Sequence, residues 1–127
     1  MPLVRIALPK HLPTDWGKAV GEIVYRTMVD VLDVPAHDHF QVITRHDRDG
    51  LIFDPEYLGI HRSDGFAAIQ ITLNEGRSVD LKKAFYRQLA DRLHVEVGIR
   101  TEDVFINLVE VKKENWSFGN GIAQYAP

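Results

Sequence analysis

The 127-residue sequence contains no cysteine, which excludes disulfide bonds, thiol catalysis and thiolate metal sites. It also has no apolar run that approaches the roughly 20 residues needed to span a bilayer. Neither sign of charge dominates, because 15 basic and 18 acidic residues leave a net charge of -3. Such a chain has no broad basic surface for nucleic acid or for an anionic membrane. We therefore expect a cytoplasmic protein with neither kind of partner.

Length and composition are those of an ordinary globular domain. A chain of 127 residues can bury a core and is predicted to form one domain over residues 1–127. Hydrophobic residues make up 45% of it and charged residues 26%, as in typical globular proteins. Evidence for a function must therefore come from local patterns.

The chain consists of two similar halves, about residues 1–45 and 66–111, followed by a tail, residues 112–127. At an offset of 65 residues, Leu3, Val4, Ile6 and Leu8 fall on Ala68, Ile69, Ile71 and Leu73. Each half predicts a strand, a helix and a second strand. Right-handed crossovers would place both helices on one face of a four-stranded sheet, which is an α+β fold. The other face would stay uncovered, so we expect an oligomer.

Turn and capping residues predict where these elements begin and end. The strands are predicted at residues 2–8, 39–44, 66–73 and 104–111. Thr14 and Asp15 predict the start of the first helix, which must end before Pro35. Ser78 and Gly98 predict the ends of the second helix. Residues 46–65 are predicted to be a loop-rich excursion between the two halves.

Pro2 follows the initiator methionine, and the apolar run behind it would hold it inside the fold. While Met1 remains, the nitrogen of Pro2 is an amide. Once Met1 is removed, that nitrogen is a secondary amine, and α-amino groups titrate at about 7.7–8.0. Such an amine can serve as an acid, a base or a carbonyl-trapping nucleophile.

Four segments, in this order along the chain, resemble the tautomerase superfamily and most closely its malonate semialdehyde decarboxylase group. They are Pro2 with its strand, residues 34–41, Arg77 before the second helix, and residues 115–119. The resemblance implies a duplicated β-α-β fold of the tautomerase and macrophage migration inhibitory factor type, assembled into a homotrimer. It also implies an enzyme of small oxo acids that needs no cofactor and uses its amino-terminal proline in catalysis.

The resemblance assigns catalytic roles to Pro2, Asp38 and Arg77. It also implies that Arg77 binds the carboxylate of the substrate. Trp116 and Phe118 of the tail are implied to line the substrate pocket. The chemistry of these groups fits such roles, because a carboxylate near an amine stabilises the protonated amine. An arginine at a helix N-terminus suits a carboxylate, although on its own it is more often a solvated charge.

Glu75 departs from the pattern of the best-known decarboxylases, which carry a second arginine at this position. A two-arginine clamp for a carboxylate is therefore not available. We expect malonate semialdehyde decarboxylation with hydratase and tautomerase side activities. The alternatives are a keto-enol tautomerase of arylpyruvate enols and a non-enzymatic ligand-binding βαββαβ module.

His37 and His39 flank Asp38 and together look like part of a metal site. In a strand the two histidines would share one face. A third ligand at a fixed spacing is missing from the sequence, so we expect no metal.

Overall fold

The computed structural model describes residues 1–127 and contains four strands, two long helices and three short 3-10 turns. In chain order the elements are β1 (Leu3–Pro9), α1 (Trp16–Leu32), β2 (Phe40–His46), a 3-10 turn (Tyr57–Gly59), β3 (Ala67–Asn74), α2 (Val79–Val97), a 3-10 turn (Thr101–Asp103), β4 (Val104–Val111) and a 3-10 turn (Lys113–Asn115). The strand order is β2-β1-β3-β4. Parallel pairs β1–β2 and β3–β4 are joined through an antiparallel β1–β3 pair. The predicted α+β duplication is confirmed.

Local capping interactions explain both ends of α2 and the end of α1. The hydroxyl of Ser78 accepts a hydrogen bond from the backbone N–H of Leu81 at 3.2 Å and so caps α2. Gly98 ends α2 in the left-handed conformation, with φ 85°. Asp33 ends α1 in the same left-handed conformation, with φ 55°. At the start of α1, the side chain of Asp15 makes no capping hydrogen bond.

The core lies between the helices and one face of the sheet. Alternate residues of β1 and β3 are fully buried there, which is the period of a strand with one covered face. The core residues from the sheet and the helices include Val4, Ile6, Leu8, Ile69, Ile71, Leu73, Val20, Val24, Met28, Phe85, Leu89 and Leu93. Neither helix has the length and apolar character needed to cross a bilayer.

The other face of the sheet is uncovered, as the sequence predicts. Cross-strand register aligns Val42, Arg5, Gln70 and Asn107 in one row across it. Val42 is 39% exposed, and Phe105 in the next row is 48% exposed. This open face is therefore a mixed apolar and polar surface in the single chain.

Residues 46–65 contain no strand beyond the end of β2 and no long helix, and they pack at one end of the open face. Phe53 stacks on Phe66, with ring centroids 4.6 Å apart. The carboxylate of buried Asp103 accepts two hydrogen bonds from Ser63, at 2.7 Å from the backbone N–H and at 2.5 Å from the hydroxyl. These contacts fasten the segment to the start of β4.

The likeness of the two halves extends beyond their helices and strands. At the same offset of 65 residues, Phe53 corresponds to Phe118 of the tail and Phe105 corresponds to Phe40. The ring centroids of Phe118 and Phe40 lie 6.3 Å apart, and Phe53 and Tyr57 of the segment 46–65 line one pocket with Phe105. That segment connects the two halves, as predicted, and at this offset it is also the first-half counterpart of the tail.

Candidate active site

The start of β1 is where the predicted site residues meet. The parallel β1–β2 pairing sets Leu3 beside Phe40, so the turn before β2 lies next to the chain start. The antiparallel β1–β3 pairing sets Leu3 opposite Thr72, which brings the end of β3 to the same place. Pro2 is buried there. Pairing among three strands therefore collects distant parts of the chain at one end of the sheet.

Asp38 contacts the nitrogen at the start of the chain. Met1 is present, so the nitrogen of Pro2 is an amide, and the ammonium of Met1 donates to Oδ2 of Asp38 at 2.7 Å. Their side chains are only 15% and 32% exposed. A turn orients the carboxylate: the backbone N–H of Asp38 donates to the carbonyl of Pro35 at 3.2 Å, and His37 has φ 82°. The structure thus places Asp38 beside the terminal nitrogen of Met1, the residue that precedes Pro2.

Arg77 lies half-buried in the turn between β3 and α2. Its Nε donates to the carbonyl oxygen of Leu32 at 2.9 Å, and its Nη1 donates to the carbonyl oxygen of Asn74 at 3.2 Å. The guanidinium therefore satisfies a carbonyl at the C-terminal end of α1. Nη2 takes part in neither bond, which leaves its donors for an anion.

The turn that carries Arg77 is fastened to β4 through Glu110. One carboxylate oxygen of Glu110 accepts from the backbone N–H of Gly76 at 3.3 Å, and the other accepts from Lys82 at 2.5 Å. The hydrogen bond from Lys82 is the main cause that lowers the pKa of Glu110. Partial burial acts in the opposite direction and raises this pKa, whereas the hydrogen bond from the Gly76 amide and the positive charge of Arg77 lower it further. Glu75 in the same turn is exposed.

The tail folds back and covers the chain start. The indole N–H of Trp116 donates to Oδ1 of Asn74 at 2.7 Å. The Trp116 and Phe118 rings stack with centroids 5.4 Å apart and an interplanar angle of 10°. With Ser117, Leu3, Phe40 and Pro2 these two rings line a pocket of about 260 Å³. Trp116 and Phe118 therefore lie where the resemblance implies, in one pocket wall with Pro2.

Comparisons with known proteins identify the family of the chain. The model of the tautomerase enzyme family matches residues 38–119. The chain belongs to that family. The probable tautomerase YusQ of Bacillus subtilis (strain 168) is 40% identical over 124 residues, which is 98% of each chain.

Two solved structures extend the comparison of this tautomerase. FG41 malonate semialdehyde decarboxylase, crystallised in the form inhibited by 3-bromopropiolate, is 33% identical and superposes with a TM-score of 0.89 over 97% of this chain and 93% of that chain. A fused 4-OT wild-type symmetric trimer shares the fold, with a TM-score of 0.76 at 18% identity over 94% of each chain. The predicted superfamily and its malonate semialdehyde decarboxylase-like group are thus confirmed. The comparisons favour an enzyme, a lyase or an isomerase, over a non-enzymatic binding module.

Three residues of this tautomerase site were missed by the sequence analysis. Phe40 is the first residue of β2, and Asn74 is the last of β3. Tyr125 packs edge-on against Phe118 with ring centroids 5.1 Å apart. Partial burial raises the pKa of the Tyr125 phenol, and the negative charge of Asp38 raises it further. Phe40 belongs to the segment 34–41 that carries the resemblance, whereas only strand pairing brings Asn74 to the site and only the path of the tail brings Tyr125, so no local sequence signal identifies these two.

The two histidines beside Asp38 do not share a strand face. They lie in the turn before β2, which begins at Phe40 and not at His39 as predicted. His39 instead stacks on Tyr25 with ring centroids 4.4 Å apart, and the backbone N–H of His37 donates to the Tyr25 hydroxyl at 3.1 Å. No group of three or more His, Asp or Glu side chains in the chain is placed to hold a metal ion.

Proposed function

We propose that this tautomerase acts on a small oxo acid, without a cofactor, through the amine of Pro2 that removal of Met1 releases. The observation that carries the proposal is the 2.7 Å contact between Asp38 and the nitrogen at the chain start, beside a pocket that Pro2 lines. In the processed chain the terminal nitrogen belongs to Pro2, and Asp38 supplies a counter-charge for its protonated form.

The main activity that we propose is decarboxylation of malonate semialdehyde or a near relative, with hydration and tautomerisation as side activities. The bond between the carboxylate carbon and C2 breaks, its electron pair enters the enolate of the aldehyde, and carbon dioxide leaves. A protonated Pro2 beside the aldehyde oxygen would stabilise the charge that develops there. Proton transfer to C2 then gives acetaldehyde. The likeness to FG41 malonate semialdehyde decarboxylase supports this assignment.

Arg77 is the group proposed to bind the substrate carboxylate. Its Nη2 donors are free of the two backbone bonds that fix the guanidinium, so its position is set before a substrate arrives. A preorganised arginine loses less conformational entropy on binding an anion than a mobile one does.

A second candidate, ketonisation of arylpyruvate enols, is favoured by the composition of the pocket wall. Phe40, Trp116 and Phe118 offer three aromatic rings to a substrate, more than a three-carbon oxo acid requires. Glu75 also leaves Arg77 without a second arginine beside it. In this reaction an uncharged Pro2 amine would accept the enol proton, and C3 would be protonated.

We also propose that the protein is a homotrimer. The open face of the sheet supports an assembly, because it exposes apolar side chains such as Val42 and Phe105 in the single chain. The fused 4-OT protein that shares the fold is itself a symmetric trimer.

The test of the proposed function compares two reactions of one processed preparation, in which loss of Met1 is verified by intact mass. Carbon dioxide release from malonate semialdehyde and ketonisation of phenylenolpyruvate identify the main activity. Asp38→Asn is expected to lower decarboxylation far more than ketonisation, and Pro2→Ala, which keeps a primary amine, should retain some activity. A form that keeps Met1, made by translation without methionine aminopeptidase, should catalyse neither reaction. Turnover by that form at the processed rate would show that the proline mechanism is wrong.

A further inference from the structure

We propose that Tyr25 of α1 is a positioning residue for Asp38, because it contacts both neighbours of that aspartate in the turn before β2. The inference rests on the proposed function, since Asp38 is the group that faces the chain start. The Tyr25 hydroxyl accepts a hydrogen bond from the backbone N–H of His37 at 3.1 Å. The Tyr25 ring stacks on the ring of His39, with centroids 4.4 Å apart and an interplanar angle of 24°.

The turn needs this support because its backbone is strained. His37 has φ 82°, which lies in the left-handed region that a residue with a side chain rarely adopts. Such a conformation is unfavourable and persists only where its surroundings fix it. Within the turn itself, the backbone N–H of Asp38 donates to the carbonyl oxygen of Pro35 at 3.2 Å. The hydrogen bond from His37 to Tyr25 adds a contact from outside the turn.

Tyr25 suits this role because the helix that carries it is anchored in the core. Val24 and Met28 of the same helix are buried, whereas Tyr25 is half-buried and contacts the turn. Its partners His37 and His39 lie outside the core on the two sides of Asp38. The position of the aspartate is therefore set relative to α1 as well as to the strand that follows it.

The position of the Asp38 carboxylate determines how strongly it acts on the amine that removal of Met1 releases. Oδ2 of Asp38 lies 2.7 Å from the terminal nitrogen while Met1 is present. A carboxylate stabilises a protonated amine more strongly the closer it lies. Loss of the contacts with Tyr25 would let Asp38 move away, and the pKa of the Pro2 amine would then fall. Tyr25 thus acts on the reaction through Asp38, without touching the substrate.

Tyr25→Phe removes the acceptor for His37 but keeps a ring to stack on His39. Decarboxylation is proposed to need the protonated amine and ketonisation the uncharged amine, so a lower amine pKa should affect the two reactions in opposite directions. At neutral pH, kcat/KM for decarboxylation should fall about 3- to 10-fold, whereas that for ketonisation should stay constant or rise. A general disturbance of the fold would instead lower both reactions, and an equal loss in both would overturn the inference.

Two further variants show whether the effect passes through Asp38. In the Asp38→Asn background, Tyr25→Phe should not shift the pH profile of ketonisation any further, because residues that act through one group are not additive. A further shift in that background contradicts the inference. Tyr86→Phe in α2, at a tyrosine that is 36% exposed, is the matched control and should change neither reaction. The other ionisable side chains of the site, Arg77 and Tyr125, are the same in all these variants.

An NMR titration of the Pro2 amine, in processed protein isotope-labelled at the proline nitrogens, separates this inference from the proposed function. If the wild type catalyses neither reaction but Tyr25→Phe lowers the pKa of the amine, the proposed function fails and the positioning role of Tyr25 stands. If the wild type is active and Tyr25→Phe leaves the pKa of the amine unchanged, the inference alone fails. An inactive wild type whose amine has the same pKa as that of Tyr25→Phe would overturn both.

Discussion

Nε of Arg77 donates to the carbonyl oxygen of Leu32 at 2.9 Å, and so joins the start of α2 to the end of α1. The same guanidinium donates to the backbone of Asn74. Arg77 therefore contributes to the fold as well as to the proposed site, which the sequence did not indicate.

Arg77→Ala should abolish turnover of carboxylate substrates. Loss of a charge-assisted partner for a buried substrate anion costs on the order of 2–5 kcal/mol. From the sequence alone we would expect an unchanged melting curve, but the two lost backbone hydrogen bonds should each cost about 1 kcal/mol of stability. Steady-state kinetics and thermal melts check both effects. Arg87→Ala, on the exposed part of α2, is the control and should change neither; a normal kcat/KM in Arg77→Ala would assign Arg77 a structural role only.

A trimeric mass in light scattering at micromolar concentration is the expected result for the wild-type protein. Val42→Lys places a charge beside Arg5 on the open face, where like charges and desolvation should dissociate the assembly. Val95→Lys is a matched control, since Val95 is 81% exposed on α2 and lies away from the sheet. Both variants should keep the circular dichroism of the wild type. A monomeric wild type, or a Val42→Lys variant with the wild-type mass, contradicts the proposed interface.

The stabilising contribution of Glu110 should depend on pH. Its pKa is lowered in the folded chain, chiefly by the hydrogen bond from Lys82. The contribution is therefore present above the unfolded value of about 4.5 and is lost as the pH falls through the folded value. Glu110→Gln should melt below the wild type at pH 7, and the difference should shrink as the pH is lowered below 4.5. Glu114→Gln, at an exposed glutamate, should show no such trend; a constant difference for Glu110→Gln would mean that the carboxylate charge is not involved.

Local signals were sufficient to predict the fold class and most boundaries of its helices and strands. The boundaries of β4 agree with the prediction, and α2 lies between its predicted capping residues Ser78 and Gly98, because apolar periodicity and capping act within a few residues. The start of β2 was placed one residue early, since His37 adopts a left-handed turn that the sequence does not signal. The family and its group could be inferred from a few matching segments.

The interior of the candidate site could not be derived in the same way. The contact of Asp38 with the chain start spans 37 residues and depends on the parallel β1–β2 pair. Asn74 reaches the site through the antiparallel β1–β3 pair, and Tyr125 through the return of the tail. Periodicity predicts that strands exist, but it does not specify their neighbours or register.

Asp103 occupies in the second half the position that Asp38 occupies in the first, at the offset of 65 residues. One acid faces the nitrogen at the chain start, whereas the other accepts from the backbone N–H and hydroxyl of Ser63, inside an unbroken chain. An amide nitrogen is neither basic nor nucleophilic, so in the proposed mechanism it is covalent continuity, and not a missing carboxylate, that leaves the second half without a counterpart of the Pro2 amine. At the corresponding position of the second half, a terminal amine could form only if the chain were cut between Ser63 and Ala67.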